Sequence, residues 1–202
     1  MTIIRSVEEL QALYGVVGEA SLVKVRPALT PEYRQMIEAS PFLALATVGP
    51  DGLDCSPRGD EGPVVRVEDD KTLLLPDWRG NNRIDSLINI VRDPRIALMF
   101  LVPGSDLVLR VNGTAEVSVD PALLDSFEVD GKHPRSVVIV RIGEVYFQCA
   151  RAVMRAGLWN PERRELGKQV PTPGAMLKAA KADFDAETYD REWRGRAEKT
   201  LW

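Results

Sequence analysis

The sequence contains few of the residues that build metal and disulfide sites. Among its 202 residues there is one histidine, His133, and there are two cysteines, Cys55 and Cys149. Two isolated cysteines are too few for a disulfide scaffold or a four-cysteine zinc site. A single histidine also argues against a histidine-rich metal centre and against serine–histidine catalysis. We therefore expect no metal site, and the sequence names no catalytic residue.

Long apolar runs and a strong charge of either sign are also missing. No apolar stretch is long enough to cross a bilayer, and the N-terminal segment MTIIRSVEELQALYG lacks the apolar core of a secretory signal. The formal net charge of −4 argues against a broad surface for nucleic acids. We expect a cytoplasmic protein without nucleic-acid or membrane partners, whose local arginine clusters bind small anions.

The hydrophobic pattern predicts short strands that alternate with turns and short helices. Alternating polarity, or short apolar runs bounded by glycine and proline, is typical of strands in an antiparallel sheet. Strands are predicted at 42–48, 53–56, 64–67, 72–75, 96–102, 107–117, 137–142 and 144–147, helices at 7–14, 31–39, 120–127, 150–158 and 175–202, and loops at 56–63 and 161–173. Because the strands follow one another in meander order, we expect a mainly β (α+β) fold, an antiparallel barrel with flanking helices.

One further helix is predicted where the sequence reads WRGNNRIDSLINIVRDPR. Its apolar residues Ile84, Leu87, Ile88 and Val91 recur at helical spacing. This spacing predicts a single buried stripe along the helix.

The start of that helix has the composition of a phosphate-binding corner. Asn81 or Asn82 is the predicted N-cap, and Asp85 falls in the first turn. A helix N-terminus presents unpaired N–H groups and the positive end of the macrodipole, both of which favour a phosphate. Arg79 and Arg83 would add charge-assisted contacts.

The order of these elements, with the segments CSPRGD, GNNR and RVNGTAEV, resembles the pyridoxamine 5′-phosphate oxidase-like family of FMN-binding split barrels. The resemblance covers roughly residues 30–160 and is strongest to an uncharacterised flavin-nucleotide-binding branch. We therefore assign 1–29 to an N-terminal extension, 30–160 to the barrel and 161–202 to a helical C-terminal extension. The resemblance implies a homodimer with FMN at the subunit interface, and an oxidoreductase acting on a small anionic or redox substrate.

The resemblance also implies which residues contact the cofactor. Arg58 would bind the phosphate, and Asp60 would accept hydrogen bonds from the ribityl chain or the ring edge, or orient an arginine. Backbone amides near Val64 and Val65 would approach the ring. Together with the residues of the predicted phosphate-binding corner, the full predicted set is Ser56, Arg58, Asp60, Val64, Val65, Arg79, Asn81, Asn82, Arg83, Gln148, Arg151 and Arg155, of which the last three would come from the second subunit.

The sequence departs from the oxidase in two respects. The oxidase carries a serine–arginine–lysine pattern at the helix start, where this chain has two asparagines before Arg83. Its arginine and histidine pattern for pyridoxal phosphate is missing here. We therefore expect a substrate other than a vitamin B6 compound.

Several alternatives stay open at this point. Asn81, Asn82 and Arg83 are also typical of a solvated helix cap, and Arg58 with Asp60 of a simple surface ion pair. Trp78 is more typical of packing than of flavin stacking. Flavin binding without turnover, as a sensor or electron-transfer module, is the alternative to catalysis. A deazaflavin is the alternative to FMN, and a dimeric barrel with an empty cleft is the third possibility.

Overall fold

A computed structural model describes residues 2–50 and 52–201. The strands are β1 (Phe42–Gly49), β2 (Gly52–Gly59), β3 (Arg66–Val67), β4 (Thr72–Asp77), β5 (Arg95–Leu101), β6 (Val108–Ser118) and β7 (Ser136–Gln148). The helices are α1 (Val7–Leu13), α2 (Glu19–Val23), α3 (Pro31–Glu38), α4 (Asp85–Arg92), α5 (Pro121–Asp125), α6 (Arg151–Ala156), a 3₁₀ helix (Pro161–Lys168), α7 (Pro173–Ala180) and α8 (Ala186–Glu198).

The strands form one antiparallel sheet in the order β2-β1-β5-β6-β7-β4-β3. Among the described residues the two edge strands, β2 and β3, do not pair with each other, so the barrel is split rather than closed. The interior is apolar: Leu43, Leu45, Phe100 and Val111 are each 0–1% exposed. This confirms the expected fold class, a split β-barrel of antiparallel strands with flanking helices.

Helix α3 packs against strands β3, β6 and β7, and its start follows the sequence prediction. The Thr30 side chain accepts a hydrogen bond from the Tyr33 amide at 3.3 Å, and Pro31 occupies the first helical position. Ile37 from this helix is fully buried in the core. The cap and the buried residue together fix the position of α3 against the sheet.

Strand β7 runs without interruption, whereas the sequence pattern predicts two strands separated at Gly143. The pairing register with β6 shifts between Asn112 and Gly113, which is the signature of a β-bulge. Gly113 is required there because an added Cβ would lie 2.0 Å from the Arg141 carbonyl oxygen. The bulge therefore accommodates Gly143 within one continuous strand, at the position where the sequence pattern predicts that one strand ends and another begins.

The hairpin between β1 and β2 agrees with its prediction, but β2 is longer than expected. Gly49 and Gly52 face each other across the turn, and Asp51 of the predicted turn lies outside the described residues. Strand β2 continues to Gly59, through the first half of the predicted polar loop. Val64 and Val65 precede β3 instead of belonging to it, although both are buried.

Helix α4 is rotated relative to its prediction. Ile84, Ile88 and Val91 are 50%, 37% and 76% exposed, whereas Ser86 and Ile90 are buried. The predicted buried stripe is therefore wrong for three of its four residues.

Polar bonds to the sheet explain the rotation of α4. The Ser86 hydroxyl donates to the Asp54 carboxylate on β2 at 2.6 Å, and the Asn89 amide donates to Thr47 Oγ1 on β1 at 3.1 Å. These two side chains turn their own face of the helix toward the barrel. Hydrophobic spacing does not register such bonds between distant elements.

The C-terminal region forms separate helices rather than a loop followed by one helix. Part of the predicted loop is a 3₁₀ helix, and the predicted helix over 175–202 is divided into α7 and α8. Asp185 caps α8, and Asp190 accepts from the Gly174 amide at 2.7 Å, which ties the two helices together. Trp202 lies outside the described residues. No helix in the described ranges has both the length and the hydropathy to cross a membrane.

Candidate functional site

A cavity of about 270 Å³ lies where β2 and β4 end and the chain leads into α4. The antiparallel register places Asp77, the last residue of β4, opposite Ser136, the first residue of β7. The loop after β4 and the loop before β7 therefore meet at one rim. Polar and charged residues of the lining are Arg58, Asp60, Asp77, Trp78, Arg79, Asn81, Asn82, Arg83 and Arg135. We call Arg58, Asp77, Asn82 and Arg135 the arginine corner.

Arg58 is held in a fixed direction on β2. Its Nη1 donates to Ser56 Oγ at 2.8 Å and to the Pro57 carbonyl at 3.1 Å. Its Nη2 lies 3.9 Å from Asp77 Oδ1, a separation too long for a hydrogen bond. A guanidinium has five N–H donors, so Arg58 keeps donors for an incoming acceptor.

Asp77 is the acidic member of the arginine corner, and its side chain is 21% exposed. Burial raises the pKa of this carboxyl, while the positive charges of Arg58 and Arg135 act in the opposite direction. No hydrogen bond reaches the Asp77 carboxylate from the described residues. The arginine corner therefore contains two arginines and one carboxylate that is not closely paired.

Asn82 and Arg135 form the other side of the arginine corner. Arg135 Nη1 donates to Asn82 Oδ1 at 2.6 Å, and the Arg135 amide donates to the Asp77 carbonyl at 2.9 Å. Asn82 has φ of 61°, a left-handed conformation that asparagine adopts more readily than most residues. The side-chain bond from Arg135 stabilises this turn.

The N-cap prediction for α4 is wrong, because Ile84 occupies that position and no side chain caps the helix. Asn81 Oδ1 instead accepts from the Arg83 amide at 2.9 Å and forms a local turn ahead of the helix. Among the described residues, the first-turn amides of α4 are not capped by a side chain.

Arg83 lies at the outer edge of the cavity. Its side chain is 79% exposed, and its Nε donates to Asp85 Oδ2 at 2.5 Å. This hydrogen bond and charge raise the pKa of Arg83. Arg83 is therefore partly neutralised, which leaves Arg58 as the more enclosed cation, whereas Arg135 is exposed and its guanidinium bonds the neutral Asn82 side chain.

Asp60 and Trp78 separate the cavity from a second, shallower groove. Trp78 Nε1 donates to Asp60 Oδ2 at 3.2 Å, and Asp60 Oδ1 accepts from the Glu61 amide at 2.8 Å. Both Asp60 oxygens are thus engaged, and Arg58 contacts Asp77 rather than Asp60. The groove has a volume of about 450 Å³, and its walls include Val65 and Phe127.

The remaining residues of the predicted set lie in different places. Arg79 and Val64 line the cavity, but the Val64 amide donates to the Ser40 carbonyl at 2.9 Å and is not available to a ligand. Ser56 lies beneath Arg58 as its acceptor. Val65 faces the second groove.

Gln148, Arg151 and Arg155 are remote from the cavity within one chain. Gln148 pairs with Val108 at the far end of β7, about 40 Å of strand length from Ser136. The arginines follow in α6, where both are exposed. These three residues could contact such a cavity only in another copy of the chain.

Asp77 and Arg135 are not among the site residues predicted from the sequence. Each is adjacent to an apolar strand, Asp77 at the end of LLLPD and Arg135 before SVVIV. The signal that brings them together is the pairing of β4 with β7, which local patterns do not reveal. The described residues contain no group of three or more histidine, cysteine or acidic side chains that could hold a metal ion.

The family model described as pyridoxamine 5′-phosphate oxidase matches residues 29–149. No curated protein matches the sequence. Several solved structures are similar over the barrel. A protein from Lactobacillus delbrueckii, assigned as a pyridoxamine 5′-phosphate oxidase, is 27% identical with a TM-score of 0.48, covering 60% of this chain and 95% of its own. HupZ from Group A Streptococcus is 24% identical with a TM-score of 0.48, covering 59% and 93%. An FAD-binding protein from Mesorhizobium loti is 16% identical with a TM-score of 0.41, covering 61% and 94%.

Proposed function

This chain belongs to the pyridoxamine 5′-phosphate oxidase family, and we propose that it is an FMN-dependent oxidoreductase that works as a homodimer. In this proposal the phosphate of FMN binds in the arginine corner. The observation that carries it is the convergence of Arg58, Arg135 and Asn82 on one cavity, with Arg79 and Arg83 at its edge.

The chemistry of the corner fits a phosphate. Arg58 keeps Nη2 and Nε donors after bonding Ser56 and Pro57, and guanidinium groups bind phosphate oxygens in pairs. The first-turn amides of α4 lack a side-chain cap, so they can also donate hydrogen bonds to an anion. The four arginines of the lining outnumber its two carboxylates, Asp60 and Asp77.

The size of the cavity fits part of the cofactor rather than all of it. Its 270 Å³ is slightly below the usual range for ligand pockets, about 300–1,000 Å³. A phosphate with its polyol chain needs less room than a complete flavin. The groove beyond Trp78, whose walls combine Val65 and Phe127 with charged side chains such as Arg66 and Glu128, offers additional space for a planar ring.

FMN, when bound, supplies the hydride or electron chemistry itself. The residues of this chain then have three tasks. The arginine corner anchors the phosphate and so fixes the position of the cofactor. Asp60, held by the Trp78 indole and the Glu61 amide, presents a fixed carboxylate at the boundary of the cavity. The Val65, Val67 and Phe127 side chains of the groove would cover part of the bound ring from water.

The proposal assigns Gln148, Arg151 and Arg155 to the site of the partner chain. Their distance from the cavity in one protomer, and the exposure of both arginines, are compatible with that role. Two exposed cations beside the cofactor would favour a small anionic or redox substrate. The substrate is proposed to differ from that of the oxidase because the pyridoxal phosphate pattern is missing.

The test is the absorption spectrum and the extracted cofactor mass of protein purified without added ligand. We expect a flavin band and the mass of FMN, with the band bleached by NADH or NADPH and restored by an acceptor. Bound FMN that neither nucleotide reduces would favour a non-catalytic sensor or electron-transfer module. The mass of a deazaflavin would replace FMN in the proposal, and protein that binds no flavin at all would refute it.

A further inference from the structure

We propose that Asp77 is a specificity-determining residue of the arginine corner. Its carboxylate places a negative charge beside Arg58. When the phosphate of a ligand binds to Arg58, the Asp77 carboxylate takes up one proton from solvent. The inference rests on the proposed function, because it concerns the same cavity. It explains why a site suited to a phosphate carries a carboxylate at its centre.

The side chains of Arg58 and Asp77 lie close to each other but do not form a direct hydrogen bond. Asp77 Oδ1 lies 3.9 Å from Arg58 Nη2, and the two side chains are 21% and 24% exposed. A direct charge-assisted hydrogen bond would be about 2.7–2.9 Å long. Both partners therefore keep bonding capacity, Arg58 as a donor and Asp77 as an acceptor.

A phosphate on Arg58 would lie close to the Asp77 carboxylate. Like charges at that separation repel, and a carboxyl responds by binding a proton. The charged groups that face Asp77 are Arg58 from β2 and Arg135 from the segment before β7. Farther round the cavity lie Asp60, Arg79 and Arg83, of which Asp60 is bonded to Trp78 and Arg83 to Asp85.

Ser136 provides an alternative partner for the displaced carboxyl. It lies directly opposite Asp77 in the β4–β7 pairing, so the two side chains share a face of the sheet. Ser136 is 6% exposed, and its hydroxyl has no hydrogen-bond partner among the described residues. A hydroxyl both donates and accepts, so it can bond either the ionised or the protonated Asp77.

The direction of the pH dependence follows from this arrangement. Burial already raises the pKa of Asp77, and a bound anion would raise it further. Affinity for an anion should therefore increase as the pH falls toward the pKa of Asp77. The increase can reach about tenfold for each pH unit over the interval in which one proton is taken up.

The experiment compares FMN with riboflavin, which lacks the phosphate, by fluorescence titration of the wild-type protein, Asp77→Asn and Asp93→Asn between pH 5 and 9. Asp93→Asn is the matched control, because it makes the same change of net charge at an aspartate that pairs with Arg95 outside the cavity. Sulfate, whose charge is constant over this range, serves as a competitor for the phosphate position. Asp77→Ser replaces the first variant if that variant does not fold.

We expect Asp77→Asn to bind FMN about tenfold more tightly than the wild type at pH 8, with a flatter pH profile and unchanged riboflavin affinity. Sulfate should compete more strongly in the same variant, and Asp93→Asn should behave as the wild type. Unchanged or weaker FMN binding by Asp77→Asn, or an equal gain in Asp93→Asn, would overturn the inference. If the wild type and Asp77→Asn both fail to distinguish FMN from riboflavin, the proposed phosphate site fails as well. If the wild type prefers FMN and Asp77→Asn leaves that preference unchanged, only the inference fails.

Discussion

Two arginine–aspartate pairs of this barrel consist of the same two side chains, but the pKa of the aspartate is raised in one pair and lowered in the other. In the arginine corner, Arg58 Nη2 lies 3.9 Å from Asp77, and burial raises the pKa of the acid. After the end of α4, Arg95 bonds Asp93 through Nε at 2.9 Å and Nη2 at 2.5 Å, and these bonds lower the pKa of Asp93 to about 2.

Burial among protein atoms is the main cause of the raised pKa of Asp77, but solvent exposure alone does not separate the two acids. The side chains of Asp77 and Asp93 are 21% and 26% exposed, whereas Arg58 and Arg95 are 24% and 70% exposed. The set of hydrogen bonds also differs, because Asp93 receives donors from Arg95 and Asp77 receives none from the described residues. In the Arg95–Asp93 pair, which we call the closed pair, the two side chains bond each other directly. In the Arg58–Asp77 pair, which we call the open pair, both side chains keep bonding capacity, so Arg58 can bind an anionic ligand.

The strongest test of this contrast is charge reversal in the open pair. Arg58→Glu should lower FMN affinity by roughly 100-fold or more, because charge-assisted bonds are replaced by repulsion. Arg95→Glu makes the same change of charge in the closed pair and should leave the affinity within about twofold. Fluorescence titration measures both variants, and equal losses would contradict the difference between the pairs.

A smaller effect is expected on the other side of the corner. Arg135→Ala should lower FMN affinity by roughly tenfold, since it removes one charged donor and the bond that supports the Asn82 turn. Arg135→Lys keeps the charge but loses the planar donor geometry and should fall between the wild type and the alanine variant. An alanine variant with wild-type affinity for FMN would remove Arg135 from the site.

Arg83 provides a pair of intermediate character, exposed but directly bonded to Asp85. Arg83→Ala should therefore weaken FMN binding by less than about tenfold, and by less than Arg135→Ala does. Raising the salt concentration should reduce the Arg83 effect more than the Arg58 effect, because exposed charges are screened more. A loss at Arg83 larger than that at Arg58 would reverse the order that the structure predicts.

The smallest effects concern stability as a function of pH. The pKa of Asp93 is lowered in the fold to about 2, so its stabilising contribution is present above its ordinary value of 3.8 and is lost as the pH falls toward 2. The pKa of Asp77 is raised, so ionising this carboxyl disfavours the fold as the pH rises above 3.8. We expect urea unfolding between pH 2.5 and 7 to show that Asp93→Asn removes part of the decrease in the free energy of unfolding on the acid side. Asp77→Asn should remove the opposite contribution, a decrease in the free energy of unfolding as the pH rises above 3.8. If both variants changed the free energy of unfolding with pH in the same way, the difference between the two pairs would be contradicted.

Local signals in the sequence were sufficient for most of the fold. The Thr30–Pro31 and Asp120–Pro121 pairs fix helix starts, and alternation along β6 identifies its buried face. The orientation of α4 was not predictable in this way. It depends on Ser86 and Asn89 meeting Asp54 and Thr47 across the chain, and hydrophobic spacing contains no information on such bonds.

The candidate site was predictable in part for the same reason. Arg58 and Asn82 belong to short segments that resemble the family, and both line the cavity. Asp77 and Arg135 belong to the corner only because β4 pairs with β7. That pairing joins residues far apart in the chain, so the acidic member of the site is visible only in the fold.

The most direct test of the central claim is a crystal structure of the protein with FMN bound. The account predicts the phosphate within hydrogen-bond distance of the Arg58 guanidinium, with Arg135 and the turn at Asn82 on its other side and Asp77 turned toward Ser136. An FMN phosphate bound elsewhere, with the arginine corner unchanged, would contradict it.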